Sequence, residues 1–265
     1  MPYQRNGVKP SRFDSRDYLV EVQPTGDIPS GSPVTVNGSV WNQRNVPCCA
    51  AIAVASCMEI QLARQGEAET LSPLFLYYFT RLARREATNG PRRKDQLVTL
   101  EMREVLKTAA KKGVCRLHLH DKPFTRKGAL AEPSPEAVED AVQNRISQNV
   151  VIGASEYRSL PNPSDHEHWR LTLSQGHALA CVFPISRAYR ALGNGASTHG
   201  AVRGIVADPN FHTVTAVGYD DNAAVFRVRD SRGLGFCDHG HWYLPYDVVA
   251  TPRFIEEVWT IQSVD

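Results

Sequence analysis

The chain has 265 residues, of which 42% are hydrophobic and 22% charged, and its 30 basic and 28 acidic side chains leave a formal net charge of +2. That is the composition of an ordinary globular protein, long enough for a sizeable core in one or two domains, with no basic excess to favour nucleic acid. No apolar run is long enough to span a membrane, and the opening MPYQRNGVKPSRFDSRDY lacks the apolar stretch of a secretory signal, so a cytoplasmic location is expected. Six cysteines are too few for a disulfide scaffold and no pair of CxxC units suggests a zinc site, so most are expected to be reduced thiols.

In chain order, residues 1–40 are rich in Pro, Gly, Ser and Asp and read as an extended arm with a short strand at 18–22. Over 49–65, Ile52, Ala53, Met58, Ile60, Leu62 and Ala63 recur at mixed spacings, the pattern of a largely buried helix. Two further helices are expected over 71–86, with Thr70 and Ser72 as candidate caps, and over 99–112, ended by Gly113. Ser134 and Pro135 open a fourth, running to 145. Beyond that the character changes: 150–154, 178–183, 213–219, 224–229 and 242–245 are short β-branched or aromatic runs between Gly, Asn and Asp turns. Helices first and strands second predict an α+β fold with the two kinds segregated.

Two adjacent cysteines stand where the first long helix begins. The end amides and dipole of a helix N-terminus favour an anion, and a thiol attacks as its thiolate, so a cysteine at this start is a candidate nucleophile. The plainer reading is that Cys48 and Cys49 are small buried hydrophobes. A base is sought among nine histidines. His212 precedes the strand TVTAVGYDD, and the strand AVFRVRD follows directly. A hairpin of this kind brings the residue opening its first strand near the residue closing its second, which makes His212 and Asp230 neighbours. Thiol, imidazole and carboxylate then have the roles of nucleophile, proton carrier and orienting group.

The chain here resembles the papain-like cysteine peptidases, in the bacterial form without a long prosegment, over nearly its whole length. In that family a glutamine six residues before the nucleophile lends a side-chain donor to the oxyanion site; Gln43 stands six before Cys49, which selects Cys49 over Cys48. LSPLFLYYFTR is similar to the family's Leu-Ser-Pro segment, MREVLKTAAKKGVC and PSPEAVEDAVQNRI to helices of bacterial members, and HTVTAVGYDDNAAVFRVRDSRGLGFCDHGHWYLPYDVV to its His…Gly-Tyr…Asn-Ser-Trp-Gly…Asp-x-Gly-Tyr pattern. The resemblance implies a papain-like two-lobed fold: an arm over 1–40, a helical left lobe over 41–148 carrying the nucleophile, and a β-rich right lobe over 149–265 carrying His212 and Asp230. It implies a thiol-dependent peptidase with Cys49, His212, Asp230 and Gln43 as catalytic residues, acting on a peptide or protein. No cofactor, metal, nucleic acid or membrane partner is expected. The alternatives are a papain-like acyltransferase that passes the acyl group to an amine or thiol, and a catalytically silent module that only holds a peptide.

Several positions depart from the family pattern. Asp230 replaces the usual asparagine, and at about 4 Å and an effective dielectric of about 20 its charge favours the imidazolium by up to roughly 4 kcal/mol. Ala50 and Arg232 replace tryptophans, which is expected to open space near the site. Arg232 either pairs with Asp230 or points into the cleft as a substrate-binding cation. Val46 replaces a cysteine that is bridged in secreted relatives. The residues before Gln43 leave no room for a long inhibitory prosegment, so the arm is expected to pack across the lobes, with an inhibitor or regulatory partner as another means of restraint. Three His-x-His units, at His118/His120, His166/His168 and His239/His241, would each offer two metal ligands if on a strand, but the last, beside Cys237 and Asp238, falls on the turn that resembles the family's Asp-x-Gly-Tyr, and no third ligand is set by spacing for the other two. His177 and Cys57 read as structural, and residues 191–204 as a loop before His212 with substrate gating as a second reading.

Overall fold

The computed structural model describes residues 8–11, 28–33, 39–87, 96–154, 163–192, 210–252 and 254–265. The strand expected at 18–22 and the glycine-rich stretch beyond 192 lie outside them. The first part of the chain contributes β1 (Val8–Lys9), β2 (Gly31–Pro33), α1 (Cys49–Arg64), α2 (Pro73–Ala87), β3 (Leu100–Glu101), α3 (Met102–Lys112), α4 (Arg126–Ala129) and α5 (Pro135–Ala141). The second contributes β4 (Ile146–Ala154), α6 (His166–Ser174), β5 (Leu179–Pro184), α7 (Arg187–Ala191), β6 (Phe211–Asp220), β7 (Val225–Arg229), β8 (His241–Pro245), α8 (Tyr246–Val249) and β9 (Glu257–Val264). The expected α+β order holds: the long helices come first and the antiparallel strands second.

Helix α1 is buried from Cys49 to Leu62, with α2 and α3 on one side and β5, β6 and β9 on the other. A helix covered all round has no single apolar stripe, which explains the mixed spacings. Its one buried acid, Glu59, accepts a hydrogen bond from the Leu71 amide at 2.9 Å, and burial, partly offset by that bond and by Arg229, pushes its carboxyl up to about 8. Around α1 the helix starts follow local chemistry. Ser72 Oγ accepts from the Phe75 amide at 3.3 Å at the head of α2, and Glu101 and Glu104 form a reciprocal capping box on α3. Gly113 ends α3 at φ 74, ψ −172, a conformation open essentially only to glycine, and a Cβ there would lie 1.6 Å from the Ala141 carbonyl oxygen. Gly113→Ala is therefore expected to lower unfolding stability by at least about 2 kcal/mol, read as a drop in the urea midpoint at unchanged slope. A change within about 0.5 kcal/mol would overturn the assignment of strain.

The strands run β3-β1-β6-β5-β9-β4, with β7 pairing β6 and β8 pairing β7. The described parts of the arm add to β6: β1 meets it at Phe211 and runs parallel to β3, while Gly31, Ser32 and Pro33 pair with Asp220, Tyr219 and Gly218. Among the elements not anticipated are α6, α7 and β9. α6 and α7 carry the cap signals Asp165 and Ser186, whose side chains accept from their first-turn amides. β9 lies between β5 and β4, and its first five residues are all buried, so no polar–apolar alternation marks it.

The β6–β7 hairpin sets the position of the site. Asp220 pairs with Val225 and Tyr219 with Phe226, but after a register shift between Ala216 and Gly218 the pairs are Ala216 with Val228 and Thr215 with Arg229. This bulge inserts one residue into β6. Continuing the shifted register sets Asp230 opposite Val214, on the face that His212 shares; without the shift Asp230 would stand opposite Thr215, on the other face.

Candidate active site

Cys49 is the first residue of α1. No side chain caps this helix and its first turn holds no acidic residue, so the positive end of the helix acts on the thiol without a competing anion on the helix itself. The loop before it is tied to the segment after β7. The Gln43 amide donates to the Ser231 carbonyl at 2.8 Å, the Gly233 amide to the Trp41 carbonyl at 2.8 Å, and Asn42 and Arg232 form a β-bridge. Cys48, at the cap position, is fully buried, and burial followed by the charge of Cys49 pushes its thiol well above the ordinary value. Cys48 is thus a packed, protonated thiol. All six cysteines are unbridged.

His212, 1% exposed, turns Nε2 to Asp230 Oδ1 at 3.1 Å. Its other ring nitrogen, Nδ1, is buried and makes no hydrogen bond to an oxygen or nitrogen. Burial alone pushes the imidazole's pKa down, but the charge and hydrogen bond of Asp230, followed by the Cys49 thiolate, raise it to about 9. Asp230 is held below the usual carboxylate range: burial pushes it up, and His212, Arg232 and the Trp242 hydrogen bond outweigh that.

Asp230 is more firmly held than the sequence suggested. Oδ1 also accepts from the Ser231 amide at 2.7 Å, while Oδ2 accepts from Tyr189 Oη at 3.1 Å and Trp242 Nε1 at 2.9 Å. Tyr189 and Phe183 pack on the His212 ring at centroid distances of 5.4 and 5.9 Å, and Trp242 packs on Tyr189 at 5.8 Å. The space expected from the loss of a shielding tryptophan at position 232 is therefore filled. The Arg232 guanidinium lies 4.7 Å from the Tyr189 ring centroid and 4.8 Å from that of Phe236. Ala50 is likewise fully buried. Tyr189 and Trp242 escaped sequence reasoning: the tryptophan read only as part of a strand, and nothing near Tyr189 points to a carboxylate 41 residues away.

The pH dependence follows from these charges. An activity that needs a protonated His212 is expected to be lost as pH rises through about 9. Asp230→Asn removes the charge that raises His212 and leaves the burial that lowers it, so the alkaline limb of kcat/KM is expected to move down by at least about one pH unit. An unmoved limb would refute the electrostatic coupling.

Gln43, 2% exposed, donates from Nε2 to the Val46 carbonyl at 3.2 Å and accepts at Oε1 from Ser231 Oγ. The Val46 carbonyl, which can only accept, fixes which end of the amide is the donor, and Nε2 keeps a second hydrogen that this bond does not use. Ser231 was not singled out from sequence, although it adjoins Asp230.

The histidine pairs take other roles. His166 and His168 lie on helix α6, not a strand, so the shared-face geometry for metal ligation is absent. His118 lies within a single 3₁₀ turn and His120 follows it, and burial, then Lys122, lowers His120 to about 4. His239 sits in an exposed turn, and His241 is buried with Nδ1 at 3.2 Å from the His239 carbonyl. No group of three or more His, Cys, Asp or Glu is placed to hold a metal among the described residues. His177 contacts the Arg64 guanidinium at 2.9 Å, and Cys57 lies in the core. Among the described residues no helix is long and apolar enough to cross a membrane.

The fold is that of the papain-like cysteine proteases. The chain is similar to xylellain, a cysteine protease from Xylella fastidiosa, with 20% identity, a TM-score of 0.79, and coverage of 99% of this chain and 97% of that one. It also superposes on digestive procathepsin L 3 of the Tenebrio molitor larval midgut, with 12% identity and a TM-score of 0.69, over 97% of this chain and 76% of that one. In sequence it is 26% identical over 235 residues to an uncharacterised peptidase C1-like protein of Acanthamoeba polyphaga mimivirus, which spans 84% of this chain and 69% of the relative. No protein-family model matches the chain.

Proposed function

We propose that this protein is a thiol-dependent peptidase with a Cys49–His212–Asp230 triad. The carrying observation is a thiol at a helix start, which acts on His212 by charge and hydrogen bond, together with a buried carboxylate that holds the imidazole's far nitrogen. The papain-like fold and the peptidase C1-like relative support the reading. In it, a helical lobe over residues 41–148 and a strand-rich lobe from 149 onward flank a cleft that takes a peptide or protein. The Cys49 thiolate attacks the scissile carbonyl carbon, the C–N bond breaks, and the leaving amine takes the proton from His212 Nδ1. Water then adds to the thioester, giving a proton to His212, and the carboxylic acid leaves as Cys49 is regenerated. Gln43 Nε2 and the Cys49 amide receive the oxyanion in both steps. Arg232, half-exposed beside Asp230, is the candidate to meet an acidic group of the substrate.

The test is iodoacetamide labelling across pH, with mass spectrometry to locate the adduct, followed by peptide-library turnover. Selective labelling of Cys49 at about pH 5–6, well below the ordinary thiol pKa of about 8.5, is expected together with peptide cleavage. Labelling that rises only near that ordinary pKa would sink the proposal and favour a silent peptide-binding module. Products carrying an added amine in place of water would instead mean acyl transfer.

A further inference from the structure

The four donors around Asp230 divide two and two: the Ser231 amide and His212 Nε2 on Oδ1, and Trp242 Nε1 and Tyr189 Oη on Oδ2. Two of them can only donate whatever the protonation state of His212. A backbone N–H and an indole N–H have no lone pair to offer, and they face different oxygens. A carboxamide has one acceptor oxygen and one NH2 group, so either way round it sets an N–H against one of these fixed donors. The Tyr189 hydroxyl, by contrast, can rotate to accept. Water offers no escape, because the Asp230 side chain is 0% exposed and Tyr189 and Trp242 are both fully buried.

We infer that Trp242, with Tyr189 as its adaptable companion, is a positioning residue that makes position 230 selective for a carboxylate over a carboxamide. This deepens the peptidase reading and rests on it for its catalytic consequence. The indole N–H holds Oδ2, which turns Oδ1 toward His212, and the imidazole keeps Nδ1 on the thiol side. The buried indole thus links the interior of β8 to the orientation of the ring that moves the proton.

The test is a mutant cycle read by Cys49 labelling with iodoacetamide at pH 6 and, separately, by urea unfolding. Asp230→Asn is expected to slow labelling by about 10-fold or more, the effect of a buried donor left facing a donor. Adding Trp242→Phe removes the fixed donor on that side, so the double variant is expected to label within about 3-fold of Trp242→Phe alone. Adding Tyr189→Phe leaves the indole in place and should give no rescue. Replacing Trp242 with benzothienylalanine, which keeps the ring shape and lacks the N–H, repeats the rescue without a cavity and serves if the phenylalanine variant fails to fold. A double variant no faster than Asp230→Asn, or equal rescue by Tyr189→Phe, overturns the inference. Urea unfolding keeps the two readings apart: Asp230→Asn is expected to cost stability that either Trp242 replacement largely recovers, whether or not Cys49 is reactive. Stability coupling with an unreactive wild-type Cys49 would refute the peptidase reading and leave the positioning role standing, and its absence would refute the positioning role.

Discussion

His212→Ala is expected to lower peptide turnover and the low-pH labelling of Cys49 by about 10³-fold or more, the scale of a lost general acid–base group acting with a lost counter-charge. In the proposed mechanism the imidazole has two tasks: its charge stabilises the thiolate, and its Nδ1 passes the proton, because Nε2 is engaged by Asp230 at 3.1 Å. The fold should survive the change. Asp230 keeps the donors of Ser231, Tyr189 and Trp242, so removal of the ring leaves a carboxylate that is still hydrogen-bonded and beside Arg232. A stability loss of about 1–3 kcal/mol is expected, well short of abolishing a native state. Cooperative unfolding by circular dichroism would establish that the variant is folded, and labelling as fast as wild type at pH 6 would remove His212 from the mechanism.

Gln43→Ala is expected to lower kcat by about 10²-fold with little change in KM, the effect of deleting one donor aimed at an oxyanion that exists only in the transition state. The amide's orientation comes from Ser231 Oγ on one end and the Val46 carbonyl at 3.2 Å on the other. Ser231→Ala therefore separates orientation from donation: the donor remains but can turn, and the loss should be smaller, about 10-fold. Labelling by iodoacetamide needs no oxyanion site, so both variants should alkylate at nearly the wild-type rate. A Gln43→Ala variant that loses labelling and turnover together would show that the residue supports the loop before α1, not the reaction.

Much of this site was legible in one dimension because its parts are local. A helix start and a hairpin between histidine and aspartate lie within single supersecondary units, while the glutamine six residues ahead of the thiol was picked out by the family resemblance. The histidine pair at His166/His168 was left open to a strand reading because period alone does not separate a short helix from a strand, and Asp165, which caps α6, was the overlooked sign. Strand β9 was hidden for the opposite reason: buried on both faces, it has no polar side to show.

What the sequence determined by itself was the chemistry available: a thiol at the head of a buried helix, an imidazole on a strand, and a carboxylate just past its hairpin partner. What only the tertiary structure decided was how these are turned toward one another. The register shift in β6 sets His212 and Asp230 on one face, a matter of a single inserted residue that no strand pattern reveals. Tyr189 and Trp242 converge on Asp230 from 41 and 12 residues away, and Ser231 reaches Gln43 across 188. Such contacts depend on the packing of whole elements. A hydrogen bond is short and directional, so the residues that aim a site are chosen by where the chain finally brings them together, not by their distance along it.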